Sequence, residues 1–125
     1  MDKGNQIVEK SYYFAIRIVK MTKLLTARRT EDVLTRQILK SGTAVGALIS
    51  EAVFAQSKAD FINKYSIALK EANETKYWLD LFHDTEIISE KEYASIYPDC
   101  VELVKILVAI LNTLKASKAQ QGGMF

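Results

Sequence analysis

The chain has 125 residues, 49% hydrophobic and 26% charged, with a formal net charge of +2. That length suits one domain with a real core, and the composition excludes a disordered segment; with one Pro and five Gly, long helices are favoured over a turn-rich strand fold. Cys100 is the only cysteine, which excludes an intrachain disulfide, and no run approaches the roughly 20 apolar residues that span a bilayer.

The opening segment MDKGNQIVEK shows no apolar signal core, so the expected setting is the cytoplasm, with no membrane partner. Charge is unevenly spread. Residues 1–40 hold nine basic against four acidic residues, a net of +5, so the remainder sums to −3.

Residues 6–26 place Ile7, Phe14, Ile18, Met21 and Leu25 at 3-4 spacing, with Val8, Ala15 and Val19 widening the stripe, which predicts an amphipathic helix. Its opposite side carries Lys10, Tyr13, Arg17 and Lys20. The segment TARRTED then makes a short connection, with Thr30 as the expected N-cap of a second helix. Glu31 and Asp32 fall in its first turn, where the helix dipole favours acids.

The second helix is predicted over residues 31–56, with Leu34, Ile38, Val45, Leu48 and Ala52 as its seam. Within it, LKSGTAVGALISEA carries Gly42 and Gly46, each costing roughly 1 kcal/mol against Ala in a helix interior. With Ser50 they fall at i, i+4 and i+8 and stack along one face. A row of missing side chains lets another backbone or an aromatic ring approach closely, so tight packing of helices or subunits is the expected use. The flanking charges Lys40 and Glu51 exclude the membrane version of this motif.

Ser57 and Asp60 resemble a capping box opening a third helix over residues 58–83. One stripe of that helix holds Phe61, Tyr65, Ala68, Ala72, Leu79 and Phe82; a second holds Ile67, Glu71, Glu74, Trp78 and Leu81. Two such sides predict contacts beyond the chain's own neighbouring helices, and Glu71 and Glu74 need partners if buried.

Ser89 and Glu92 form a capping box at the start of the fourth helix. Pro98 marks either the first turn of its main segment or a kink in a longer helix. Beyond it, CVELVKILVAILNTL is apolar almost all round, leaving Glu102, Lys105, Ala109 and Asn112 as a narrow polar strip. Such a helix must be covered on most sides, which a small four-helix monomer struggles to do. Residues 1–119 read as a single all-α domain and residues 120–125 as a flexible tail.

In order along the chain, SGTAVG, ISEA, SKADFI, ALKEA and ETKYWL resemble the bacterial four-helix-bundle proteins also called 23S rRNA-intervening-sequence proteins. The likeness is strongest over residues 36–82. It implies an antiparallel up-down four-helix bundle that assembles as a ring-like homopentamer, and no enzymatic activity is established for the family. A related branch comprises accessory proteins of diversity-generating retroelements, similar pentamers with basic surfaces that work with a reverse transcriptase and nucleic acid. Many relatives carry Asn where this chain has Leu48, so a polar contact on the second helix is expected to be missing.

Several chemistries lack support. The glycines precede no Lys-Ser/Thr pair and follow no strand, so they are no phosphate loop. Glu71 and Glu74 have i, i+3 spacing, but no second Glu-x-x-His accompanies them and His83 is distant, so pairing with cations or hydroxyls is expected over a metal site. Cys100 reads as a small buried apolar group, with no local signature of a nucleophile.

What remains is a basic face with an interleaved aromatic: Lys10, Tyr13, Arg17, Lys20, Lys23, Arg28 and Arg29 suit phosphates and a stacked base. Repetition around a ring makes weak patches act together. The helix-packing or subunit-interface set is Gly42, Gly46, Ser50, Glu51, Glu71, Glu74 and Trp78. The expected protein is a non-enzymatic scaffold, without cofactor, that assembles with itself and binds RNA or DNA weakly. The alternative is an adaptor that docks a partner protein such as a reverse transcriptase without touching nucleic acid.

Overall fold

A computed structural model of the chain describes residues 3–29 and 32–123. Among them are four helices and no strand: α1 (Lys3–Ala27), α2 (Asp32–Ala52), α3 (Lys58–Asp84) and α4 (Glu90–Gly123). Each packs on the next, and α4 returns to α1, so the helices close into a four-membered bundle around one core. The α1–α4 seam is the loosest of the four interfaces.

The helix ends follow local chemistry. Ser57 is extended at φ −158° and ψ 165°, and its hydroxyl accepts from the Asp60 N–H at 3.0 Å; Asp60 Oδ2 accepts in turn from the Gln56 N–H at 3.2 Å. Because the chain must be extended at Ser57, α2 ends at Ala52 rather than at residue 56. The N–H groups of Val53, Phe54 and Ala55 then donate to carbonyls three residues back, closing tight turns.

At the far end of α3, Glu86 takes a left-handed φ of 62°. Its N–H donates to the His83 carbonyl at 3.1 Å and the Ile87 N–H to the Phe82 carbonyl at 2.8 Å, a Schellman closure. The Ser89 hydroxyl accepts from the Glu92 N–H at 3.1 Å while Glu92 Oε1 accepts from the Ser89 N–H at 2.8 Å, the complete capping box. Pro98 sits inside the continuous α4, so the longer-helix alternative holds; the Ala94 carbonyl forgoes its usual donor there. The N-cap expected at Thr30 and the first-turn acid Glu31 lie outside the described residues, as do positions 124 and 125 of the expected tail.

Ile7, Phe14, Ile18 and Leu25 of α1 meet Ile38, Val45 and Ile49 of α2 in the core, with Ala68, Ala72, Leu79 and Phe82 from α3 and Cys100, Leu103 and Leu107 from α4. Leu34 and Leu48, expected in the α2 seam, are only half-buried, while Ser41, Gly42 and Ile49 occupy the interior. The small residues draw that side of α2 inward, which turns the two leucines toward its flank. Val101, Val104, Ile106 and Ile110 of α4 stay partly exposed. Among the described residues no helix is long and apolar enough to cross a membrane.

Candidate functional site

The face of α1 expected to grip phosphates lies beside α4, and half of its cations are already engaged there. Lys10 Nζ donates to Glu102 Oε1 at 2.9 Å. Arg17 reaches Asp99 Oδ2 at 2.7 Å, the Ser95 carbonyl at 3.0 Å and the Ser95 hydroxyl at 2.6 Å. Arg28 pairs with Glu92 at 3.0 Å. The Glu92 carboxyl is held below the usual carboxylate range, first by the Ser89 N–H and then by Arg28.

These partners answer a pattern visible in the chain. Glu92, Ser95, Asp99 and Glu102 repeat on α4 the 3-4-3 spacing of Lys10, Tyr13, Arg17 and Lys20 on α1. Their pairing with Lys10, Arg17 and Arg28 leaves only part of the basic face free for phosphates. Tyr13, Lys20, Lys23 and Arg29 remain exposed, and the three cations among them have no ion pair among the described residues.

The ion pairs divide the seam into hollows. Between the Arg17–Asp99 and Arg28–Glu92 pairs lies an open groove of about 460 Å³. Ile16, Met21, Leu24 and Ile96 supply its apolar lining, with Tyr13 at one end and Lys20 and Lys91 contributed from opposite helices. On the other side of Arg17, a hollow of about 260 Å³ is lined by Glu9, Lys10, Tyr13, Asp99 and Glu102. Lys91 was missed by the sequence reading, since only the pairing of α1 with α4 brings it to this face.

The second set of residues falls on the α1–α2 and α2–α3 sides. Gly42 and Gly46 face α1: a Cβ on Gly42 would meet Ile18 Cγ1 at 2.8 Å, and one on Gly46 would meet the Ser11 carbonyl oxygen at 3.1 Å. The glycines therefore admit a helix of the same chain. Ser50, the third member of the row, is exposed, and Glu51 reaches Lys64 of α3 at 3.5 Å. Thr75 Oγ1 lies 2.8 Å from the Glu71 carbonyl, which accepts from it, and 2.9 Å from Ser41 Oγ, in the buried α2–α3 interface.

Outside that contact, Glu71 Oε2 and Trp78 Nε1 are buried with no hydrogen-bond partner among the described residues. The Glu71 carboxyl is pushed up by burial and then by its neighbour Glu74, with Lys70 and Lys40 pulling the other way. Glu74 itself is exposed, as are Ile67 and Tyr77 on the same helix.

At the α3–α4 corner, His83 Nε2 meets Glu90 and its Nδ1 lies 3.3 Å from Asp84, while its ring stacks on Tyr93 at 4.1 Å. Tyr93 donates to Asp80 Oδ1 at 2.6 Å. Cys100 is fully buried, its thiol directed at the Ala72 carbonyl and pushed up by burial to about 12, so it is no thiolate nucleophile at neutral pH. Among the described residues no three His, Cys, Asp or Glu side chains are grouped to hold a metal ion.

The family described as 23S rRNA-intervening sequence protein matches residues 3–109. A crystal structure of a protein with unknown function from the S23 ribosomal protein family, from Bacteroides thetaiotaomicron VPI-5482, is 51% identical, covers 89% of this chain and 99% of its own, and superposes with a TM-score of 0.86. No curated protein matches the chain.

Proposed function

The chain belongs to the 23S rRNA-intervening sequence protein family, and on that premise we propose that it is a non-enzymatic scaffold that assembles with copies of itself and holds RNA or DNA weakly. The observation that carries the assembly is a pair of buried polar atoms on α3, Glu71 Oε2 and Trp78 Nε1, that have no partner among the described residues. A buried donor or acceptor without a partner costs about 1–3 kcal/mol, and a second subunit is a natural supplier of one. Exposed Ile67 and Tyr77 on the same helix, and the partly exposed apolar side of α4, are surface that assembly would cover. The resemblance implies a ring of five.

The nucleic-acid contacts in this reading are Tyr13, Lys20, Lys23 and Arg29, with Lys10, Arg17 and Arg28 reassigned to bracing α1 against α4. A few free cations per subunit give weak, sequence-tolerant binding that strengthens when repeated around a ring. Sedimentation tests the assembly: particles near five times the 14.1 kDa of one chain are expected, and a well-folded single chain at micromolar concentration overturns it. Binding of single-stranded RNA and DNA across a salt series tests the ligand, and no binding even at low salt removes it.

A second reading, a protein-docking adaptor, draws on Phe54, which is 84% exposed at the α2–α3 turn beside exposed Val53. Replacing Lys20 and Lys23 by Glu separates the two. The scaffold loses nucleic acid, whereas the adaptor keeps its partner.

A further inference from the structure

An open break in the α1–α4 seam lies between the Arg17 and Arg28 pairs. Arg17 of α1 and Arg28, one residue past the helix end, are eleven positions apart, about 16 Å at 1.5 Å per residue. The groove of about 460 Å³ between them falls within the roughly 300–1,000 Å³ of small-molecule sites. A long partner helix laid along this groove would have to lie across both ion pairs. The groove is open along its length and so cannot enclose an acyl chain, but a planar ring needs only one covered face. The apolar lining of Ile16, Met21, Leu24 and Ile96 offers such a face, exposed Tyr13 offers a stacking surface at one end, and the two lysines favour an anion.

We infer that this groove is a nucleotide-unit site, with the base against Tyr13 and the apolar lining and the phosphate between Lys20 of α1 and Lys91 of α4. The inference rests on the nucleic-acid reading above and adds a base-binding step to it. General phosphate contact by Lys23 and Arg29 needs neither Tyr13 nor Lys91. The unit comes either from a single strand or from a free nucleotide.

The test is fluorescence anisotropy of a labelled 12-nucleotide oligo(U) at low salt with the full chain, its Tyr13→Ala, Tyr13→Phe and Lys91→Gln variants, and uridine monophosphate as competitor. Tyr13 and Lys91 are exposed, so the variants should fold, and circular dichroism checks this. Expected is a loss of roughly tenfold for Tyr13→Ala, retention in Tyr13→Phe, and a weaker, less salt-sensitive interaction for Lys91→Gln. Wild-type affinity in both Tyr13→Ala and Lys91→Gln overturns the groove and leaves the general reading standing; no binding by the unaltered chain overturns both. Competition by the monophosphate assigns the site to free nucleotides, and its absence beside a Tyr13→Ala loss assigns it to strands; both support the groove.

Discussion

Ile18 of α1 lies so close to Gly42 of α2 that an added Cβ would stand 2.8 Å from its Cγ1 and 2.9 Å from its Cγ2. Ile18 is fully buried and β-branched, with a stiff χ1, so neither atom can swing away cheaply. Overpacking costs typically 1–3 kcal/mol, against roughly 1 kcal/mol returned by replacing Gly with Ala in a helix. Gly42→Ala should therefore destabilise by about 1 kcal/mol. At Gly46 the obstacle is the Ser11 carbonyl oxygen at 3.1 Å, which asks α1 to move only a few tenths of an ångström. Gly46→Ala should cost less than Gly42→Ala in urea unfolding, and the reverse order would count against this packing.

Arg17 and Lys20 differ by one turn of α1 and should behave differently. Arg17 holds Asp99 and both a carbonyl and a hydroxyl of Ser95, so Arg17→Ala should cost on the order of 1 kcal/mol of stability. Lys20→Ala should stay within about 0.5 kcal/mol and act on polyanion affinity instead. Paired unfolding and binding measurements check both halves.

Proton uptake at the α3–α4 corner gives a stability change around neutrality. His83 is raised above its ordinary 6.5, first by its hydrogen bond to Glu90 and also by Asp84, with partial burial opposing. Because the folded value exceeds the unfolded one, the stabilisation is complete below pH 6.5 and is lost as pH rises through the folded value. The melting temperature should fall on that alkaline passage, and His83→Gln should flatten this part of the profile. An unchanged slope in the variant would show that another group is responsible.

Glu92 gives the opposite sign. Its carboxyl lies below 4.5 because the Ser89 N–H and Arg28 favour the ionised form, so its contribution is present above pH 4.5 and is lost as pH falls through the lower folded value. Ser89→Ala removes the reciprocal half of the box and should cost about 1 kcal/mol at neutral pH. Glu92→Gln should shrink the acid-side loss. Both are read from unfolding midpoints between neutral and acidic pH.

The sites were only partly legible from the sequence. The glycine row was legible as a row of missing side chains, but a spacing cannot say which helix approaches; α1 of the same chain lies against Gly42 and Gly46. The basic stripe of α1 was legible as a stripe. Its acids were not matched to it, because they lie 64 to 92 positions away along the chain. Glu51 reads as an interface acid in the motif, and only the packing of α2 on α3 names Lys64 as its neighbour. Lys91 carries no motif, and only its place on the groove draws notice.

The sequence by itself determined the four helices, the N-caps at Ser57 and Ser89 and most of the buried faces, because 3.6-residue periodicity and capping hydrogen bonds act within a few residues of one another. The extended turn at Ser57, the capping box at Ser89 and the α1 stripe all belong to that local class. Only the tertiary structure decided which cations are braced and which are free, and where a groove opens. Those follow from the rotation and axial register of packed helices. Register is set by the fit of distant side chains such as Ile18 over Gly42, not by any interval along the chain.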